Sequence, residues 1–171
     1  MSKVIVNGNE YDITRETILN DVKEDNVALK YLFKYLPDLV TDDLLEEIIA
    51  ANKYAVRFIP KERLPRKIVM SIVVSKDSRC LFNYVPKELI DEEMEEIIVT
   101  TYTYEAIKRY LEIFEDRLTI EKIKKILTNI TNKSQKLRLR DRYIPKKFLT
   151  DEVLELIPEY KSSAYKYRAT Y

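Results

Sequence analysis

Residues 142–154 read RYIPKKFLTDEVL, and the order of residue types in this segment predicts where helices end and begin. It opens with a polar residue, an aromatic residue, an aliphatic residue and Pro145. Because the residue before a proline avoids the α-helical region, this run predicts the end of a helix. Thr150 can then cap a new helix by accepting from free backbone N–H groups, and acids follow it, where the helix dipole favours negative charge. The stretch therefore predicts a helix end, a short turn and a second helix start.

The same pattern occurs at four earlier places in the chain. The fourth positions of the five windows fall at 37, 60, 86, 112 and 145, with steps of 23, 26, 26 and 33 residues. A period in the twenties is typical of stacked supersecondary units. The four earlier windows are Lys34-Tyr35-Leu36-Pro37, Arg57-Phe58-Ile59-Pro60, Asn83-Tyr84-Val85-Pro86 and Arg109-Tyr110-Leu111-Glu112.

A second signature recurs with the first. An apolar residue precedes threonine at Ile13-Thr14, Val40-Thr41, Leu118-Thr119 and Leu149-Thr150. An apolar residue before the cap and another four positions into the helix form a hydrophobic staple. Together the two signatures predict repeated units of helix, turn, helix and turn. The aromatic residues of the windows are expected to anchor the core between units, with a tyrosine hydroxyl reaching the surface.

The chain's only glycine, Gly8, lies in VIVNGNEYDI, residues 4–13. Asn-Gly between extended runs is the strongest short-range signal for a β-hairpin with a type I′ turn. The fold class that follows is mainly α: a short N-terminal β-hairpin at 1–13 and a small α-solenoid-like array of helix-turn-helix repeats at 14–157. A tail rich in tyrosine and lysine occupies 158–171.

The windows RFIPKERL, NYVPKELI and RYIPKKFLTDEVL resemble short α-helical tandem repeats of uncharacterised phage and giant-virus proteins. The resemblance covers residues 14 to about 157. Families of this kind generally act by binding, so it implies a binding protein without a catalytic set. Size and composition are also similar to small phage anti-defence proteins such as anti-CRISPR proteins.

Composition excludes several chemistries. Histidine is absent and Cys80 is the single cysteine, so a structural zinc site and histidine-dependent catalysis are not expected. We predict no enzyme activity, no cofactor, no membrane span and a cytoplasmic location. Cys80 is expected in the core, the acidic clusters at 42–47 and 91–96 on exposed helix faces, and Tyr102 and Tyr104 in an exposed inter-helix turn.

The most informative feature is a charge asymmetry. Residues 119–171 contain 13 basic and 6 acidic residues, a net charge of +7, while the whole chain carries +1. The long step places extra residues in TNKSQKLRLRD, which as an insertion predicts a loop on a binding face. Tail tyrosines interleaved with cations suit stacking on unpaired bases. The predicted nucleic-acid-binding residues are Lys122, Lys125, Lys133, Lys136, Arg138, Arg140, Arg142, Lys146, Lys147, Tyr165 and Tyr167.

Three interpretations of the basic segment remain open: nucleic-acid binding, pairing with the acidic N-terminal part of this chain or of a second copy, and a solvated face. The first function hypothesis is a phage-encoded protein that binds RNA or a ribonucleoprotein and blocks a host defence complex such as CRISPR-Cas. The alternative is a protein–protein adaptor or inhibitor that uses the helical array and its acidic half. A third is an enzyme with a carboxylate-only metal site.

Overall fold

A computed structural model describes residues 2–6, 9–24 and 27–158. The described chain is mainly helical, which confirms the predicted class. It forms two compact units, Met1–Asp91 and Glu92–Tyr171. No helix among the described residues is long and apolar enough to cross a membrane.

The first unit begins with two strands, β1 (Ser2–Val6) and β2 (Asn9–Ile13). They pair antiparallel in a register that runs from Ser2 opposite Ile13 to Val6 opposite Asn9. Asn7 and Gly8, the residues of the predicted type I′ turn, lie outside the described residues, so that turn stays a prediction.

Helices make up the rest of the first unit. Amphipathic spacing places Leu45, Ile48, Val69 and Val73 in its core, and Cys80 is fully buried there, which confirms the prediction for the thiol. The α-helices are α1 (Arg15–Glu24), α2 (Val27–Tyr35), α3 (Asp42–Ala51), α4 (Arg66–Val74) and α5 (Ser78–Tyr84), and the 3₁₀ helices are Pro37–Leu39, Lys53–Phe58, Lys61–Arg63 and Lys87–Leu89.

The second unit has its own core, in which Met94, Ile98, Tyr110 and Ile123 are completely buried. Its α-helices are α6 (Glu92–Thr101), α7 (Tyr104–Ile113), α8 (Ile120–Asn129), α9 (Lys133–Arg142) and α10 (Asp151–Leu154), and its 3₁₀ helices are Glu115–Arg117 and Lys146–Phe148. Helix α8 contacts α6 and α10, and α7 contacts α6.

One backbone turn recurs five times. Each time a three-residue 3₁₀ helix is closed by the N–H of the next apolar residue, as in Ile90 to the Lys87 carbonyl at 3.1 Å and Leu149 to the Lys146 carbonyl at 3.1 Å. An α-helix starts shortly afterwards. Thr41 Oγ1 accepts from the Leu44 N–H at 3.3 Å, as a helix cap does. The prolines and threonines of the sequence thus mark real helix boundaries.

The fourth window differs from its prediction. Glu112 was assigned to the position that proline holds in the other windows, but it lies inside α7, and the 3₁₀ helix starts only at Glu115. The physical reason is that no proline ends the helix there, so it continues to Ile113. Phe114 lies between the end of α7 and the start of that 3₁₀ helix.

The aromatic residues of the windows divide into buried and half-buried rings. Tyr110 is fully buried and stacks on Phe114 with ring centroids 5.0 Å apart. Its hydroxyl donates to Glu95, so the prediction that it reaches the surface is wrong. Tyr84 and Tyr143 are half-buried. Phe58 is also half-buried, and the side chain of Tyr35 lies outside the described residues.

Candidate nucleic-acid interface

Helix α9 carries most of the predicted basic residues. Asn132 caps it by accepting from the Gln135 N–H at 3.1 Å, and Leu139 anchors it in the core. The segment TNKSQKLRLRD was predicted to be a loop, and this prediction is wrong. A good cap and one apolar anchor are enough to extend a helix through a run of lysine, arginine, leucine and glutamine, which are strong helix formers.

Five cations on α9 and the turn after it are exposed: Lys133, Arg138, Arg142, Lys146 and Lys147. None of them forms an ion pair with a described residue. The Lys147 ammonium lies 5.0 Å from the centroid of the Phe148 ring. We call these five residues the bare basic surface.

The lysines of α8 have a different environment. Lys122 Nζ lies 2.5 Å from Glu95 Oε2, and Lys125 Nζ lies 2.6 Å from Glu96 Oε2. Their neighbour Lys124 bridges Glu121 and Glu152. Carboxylates of the same unit therefore neutralise this helix, and the structure separates Lys122 and Lys125 from the bare basic surface.

Two further predicted residues are partly engaged. Lys136 Nζ donates to the Leu156 carbonyl at 3.1 Å, and Arg140 Nε donates to Asp141 Oδ1 at 2.6 Å. Both side chains are half-buried beside the exposed cations of α9. Tyr165 and Tyr167 lie outside the described residues and stay predictions.

The charges of α9 oppose its own local stability. The first turn of α9 contains no acidic residue and holds Lys133 and Lys136, and α4, which begins with Arg66 and Lys67, is similar in this respect. Cations near a helix N-terminus face the positive end of the dipole. Arg138 and Arg142, four residues apart, add like-charge repulsion.

Sequence reasoning missed a buried carboxylate in the core of the second unit. Glu95 is 2% exposed, and its carboxylate accepts from the Tyr110 hydroxyl at 2.7 Å, from Lys122 at 2.5 Å and from Arg117 at 3.2 Å. Burial disfavours the charged form, but these hydrogen bonds outweigh it and hold the Glu95 pKa below its usual range. Glu95 precedes the apolar Ile98 and Val99 by three and four residues, and this spacing was the signal available.

The acidic cluster at 91–96 was predicted to lie on an exposed helix face, and for Glu95 this is wrong. The reason is that the carboxylate sits on the buried stripe of α6, where two cations and a hydroxyl satisfy it. No group of three histidine, cysteine, aspartate or glutamate side chains in the described ranges could hold a metal ion.

The prediction that Tyr102 and Tyr104 are exposed is also wrong. Tyr102 is 3% exposed and Tyr104 is 9% exposed. Asn129 Nδ2 donates to the Tyr102 carbonyl at 3.1 Å, and the Lys108 ammonium lies 5.2 Å from the Tyr104 ring centroid. The turn between α6 and α7 is so short that both rings remain close to the core.

Cys80 has no features of a reactive thiol. Its side chain is fully buried, and Sγ–H donates to the Lys53 carbonyl at 3.4 Å. Burial raises the pKa of this thiol to about 11, which leaves little thiolate at neutral pH.

No protein-family model, no curated protein and no solved structure matches this chain.

Proposed function

We propose that this chain is a non-enzymatic nucleic-acid-binding protein and that the bare basic surface is its interface. The observation that carries the proposal is the contrast between two neighbouring sets of cations. The α8 lysines are neutralised by carboxylates, whereas Lys133, Arg138, Arg142, Lys146 and Lys147 are exposed without an ion pair to a described residue. Clustered, unneutralised cations attract polyanions, and phosphate contacts supply most non-specific affinity for nucleic acid.

The sequence favours RNA or a ribonucleoprotein as the ligand class, because Tyr165 and Tyr167 alternate with cations in the tail. The resemblance to phage repeat proteins favours a role against a host defence complex such as CRISPR-Cas, in the host cytoplasm. Both statements depend on features other than the bare basic surface. The binding experiment should therefore compare single-stranded RNA with duplex DNA.

We further infer that the scaffold of this surface is a series of repeated helix pairs behind an N-terminal hairpin. The recurring 3₁₀ turn and the helix start that follows it support this inference. Repetition of one local unit would explain how the sequence places a basic variant of that unit near its carboxyl end.

The decisive measurement is the salt dependence of binding. If the five cations each contact one phosphate, log K against log salt concentration falls with a slope of about −3.5 on single strands and about −4.5 on duplex DNA. Replacing Arg138 and Arg142 by alanine should reduce that slope by roughly 1.4 on single strands. The matched control replaces Lys124 and Lys125, whose charges are neutralised, and should leave the slope nearly unchanged.

Two results would reject the proposal. One is the absence of nucleic-acid binding at low salt. The other is an equal loss of slope in the control and in the arginine variant, which would mean that the bare basic surface has no special part in binding.

A second candidate function, a protein–protein adaptor, is favoured by a groove in the first unit. The groove has a volume of about 630 Å³ and lies between α3 and α4, with Ile49, Ala50, Ile68 and Ile72 among its lining residues. An Ala50→Arg substitution should abolish partner binding if the groove is the interface, and it should not change the salt dependence of nucleic-acid binding.

A further inference from the structure

The faces of α9 carry different side chains, and this difference indicates which class of nucleic acid the helix would bind. Successive residues of an α-helix are about 100° apart, so residues at i, i+3 and i+7 form one line along the helix. Ser134, Leu137 and Asp141 form such a line, and it lies on the side of the helix away from the buried Leu139. Ser134 and Asp141 are exposed and Leu137 is half-buried. This outermost line contains no cation.

Cations flank that line on both sides. Lys133, Lys136 and Arg140 share the same i, i+3, i+7 spacing on one flank. Lys133 is exposed, whereas Lys136 and Arg140 are half-buried and donate to the Leu156 carbonyl and to Asp141. Arg138 and Arg142, four residues apart, form the other flank, and both are exposed. A helix that tracks a single phosphate strand needs one row of cations, whereas two rows separated by a neutral or acidic ridge suit two phosphate strands with a groove between them.

The dimensions agree with duplex DNA. An α-helix with its side chains is about 10–12 Å wide, and the major groove of B-form DNA is about 12 Å wide. The major groove of A-form RNA is deep and narrow, so side chains cannot read it. The ridge also has chemistry that base edges recognise, because aspartate accepts from the cytosine amino group and serine can donate or accept. Asp141 Oδ1 already accepts from Arg140 at 2.6 Å, so a base would have to share this carboxylate with the arginine.

The surroundings of α9 argue against stacking on unpaired bases. Single-strand binding uses exposed rings as platforms. Two described rings follow α9 in the chain, Tyr143 and Phe148. Both are half-buried, and each has an ammonium group close to its ring, Lys108 at 5.9 Å and Lys147 at 5.0 Å from the respective centroids.

We propose that α9 binds duplex DNA by entering the major groove, with the exposed Lys133 on one phosphate strand, Arg138 and Arg142 on the opposite strand, and the Ser134–Leu137–Asp141 ridge toward the base edges. The proposal rests on the nucleic-acid binding proposed above and specifies its ligand. Lys146 and Lys147, in the turn after α9, extend the contact to the phosphates beyond the groove.

The test compares binding of the full chain to a short DNA duplex and to single-stranded RNA of the same length, by fluorescence anisotropy at several salt concentrations. We expect the duplex to bind at least about tenfold more tightly at equal salt. Lys133→Ala on one flank and Arg138→Ala on the other should each reduce the duplex slope by about 0.9. Lys125→Ala serves as the control, and its slope of log K against log salt concentration should remain that of the unmodified chain.

A second measurement reports on the groove itself. Guanine N7 faces the major groove, so the bound protein should protect it from methylation by dimethyl sulfate. Asp141→Asn should strengthen binding to duplexes of random sequence, because it removes a negative charge from the ridge, and should weaken any preference for cytosine.

The outcomes separate this proposal from the broader one. Tighter binding to RNA, or duplex binding without N7 protection, would overturn the role of α9 as a groove-binding helix while leaving nucleic-acid binding intact. Absence of binding to both ligands would remove the proposed function as well. The proposal would also be overturned if only one of Lys133→Ala and Arg138→Ala reduced the slope of log K against log salt concentration, since groove entry requires phosphate contacts from both flanks.

Discussion

At the scale of single residues, Glu95 is the clearest case of a charge placed by tertiary structure. Its carboxylate accepts from Tyr110, Lys122 and Arg117, so two cations compensate the buried negative charge. A buried ion pair of this kind contributes little compared with apolar packing, but removing one partner leaves an uncompensated charge.

Glu95→Ala should therefore lower the free energy of unfolding by about 3–5 kcal/mol, measured by urea denaturation. The control is Glu96→Ala on the same helix, whose pair with Lys125 is half exposed and should cost at most about 1 kcal/mol. Equal losses in the two variants would contradict the view that burial makes Glu95 critical.

Lys76 is a second residue to consider at this scale, because its backbone lies in the left-handed region. It follows α4 with a φ of 57°, and no other non-glycine residue in the described ranges has a positive φ. Left-handed backbone is unfavourable for residues with a Cβ. A lysine therefore occupies a conformation that glycine would adopt without strain.

Lys76→Gly should raise the free energy of unfolding by up to about 1 kcal/mol, because glycine adopts this conformation without strain. Lys61→Gly, at an exposed position without positive φ, should lower it by about 0.5–1 kcal/mol. Denaturant midpoints of the two variants should thus move in opposite directions, and a loss of stability in both would show that the φ of Lys76 is not strained.

At the scale of elements, the helix caps have unequal value although their sequences are alike. Thr119 Oγ1 accepts from the Lys122 N–H at 3.2 Å. Thr150 precedes α10 in the same way, yet its Oγ1 is buried and has no hydrogen-bond partner in the described part of the chain. A cap that accepts a hydrogen bond stabilises its helix. A buried hydroxyl without a hydrogen bond destabilises the folded state, because its lost hydration is not compensated.

Thr119→Val should lower the free energy of unfolding by about 0.5–2 kcal/mol, since the cap is lost while the shape is kept. Thr150→Val should be neutral or stabilising. Thermal unfolding of the two variants checks this, and a large destabilisation from Thr150→Val would show that its hydroxyl does have a partner.

Helix α9 also links local stability to the proposed function. A cation in its first turn is unfavourable for the helix and favourable for phosphate binding, so the two properties should change in opposite directions at Lys133.

Lys133→Glu should raise the free energy of unfolding by about 0.3–1 kcal/mol through the helix dipole, and should weaken binding to nucleic acid. Glu121→Lys, in the first turn of α8, is the reciprocal control and should destabilise the protein. Unfolding curves and anisotropy titrations on the same samples provide both readouts. Parallel changes in stability and affinity would contradict the trade-off.

At the scale of the whole molecule, the pH dependence of stability follows from which groups titrate. Histidine is absent, so no side chain ordinarily titrates between about pH 5 and 8. A hydrogen bond from Arg15 lowers the pKa of Glu47. Hydrogen bonds also lower the pKa values of Asp77 and Glu95, against the opposing effect of burial.

A group whose folded pKa is lowered stabilises the fold above its unfolded pKa and loses that contribution as the pH falls through the folded value. Stability should therefore be constant between about pH 5 and 8 and should decline as the pH falls below the ordinary carboxyl values of 3.8 and 4.5. Urea midpoints across this range provide the check. A step near pH 6 or 7 would be inconsistent with the absence of histidine.

The sequence alone determined the helical class and most helix boundaries, because proline, threonine caps and apolar spacing act through local backbone geometry. The exception at Glu112 arose where proline is missing. Residues 133–142 form α9 rather than the predicted loop because Asn132 caps a run of strong helix formers. The concentration of positive charge near the carboxyl end was also readable directly.

Only the tertiary structure decided which of those charges are free. Lys122 and Lys125 look like Lys133 and Arg138 in sequence, yet Glu95 and Glu96, more than twenty residues away, neutralise the first two and not the others. The same holds for Tyr102 and Tyr104, which are buried although they flank a turn. Ion pairing and burial depend on which helix faces meet, and that is set by packing between segments distant in the chain rather than by local sequence.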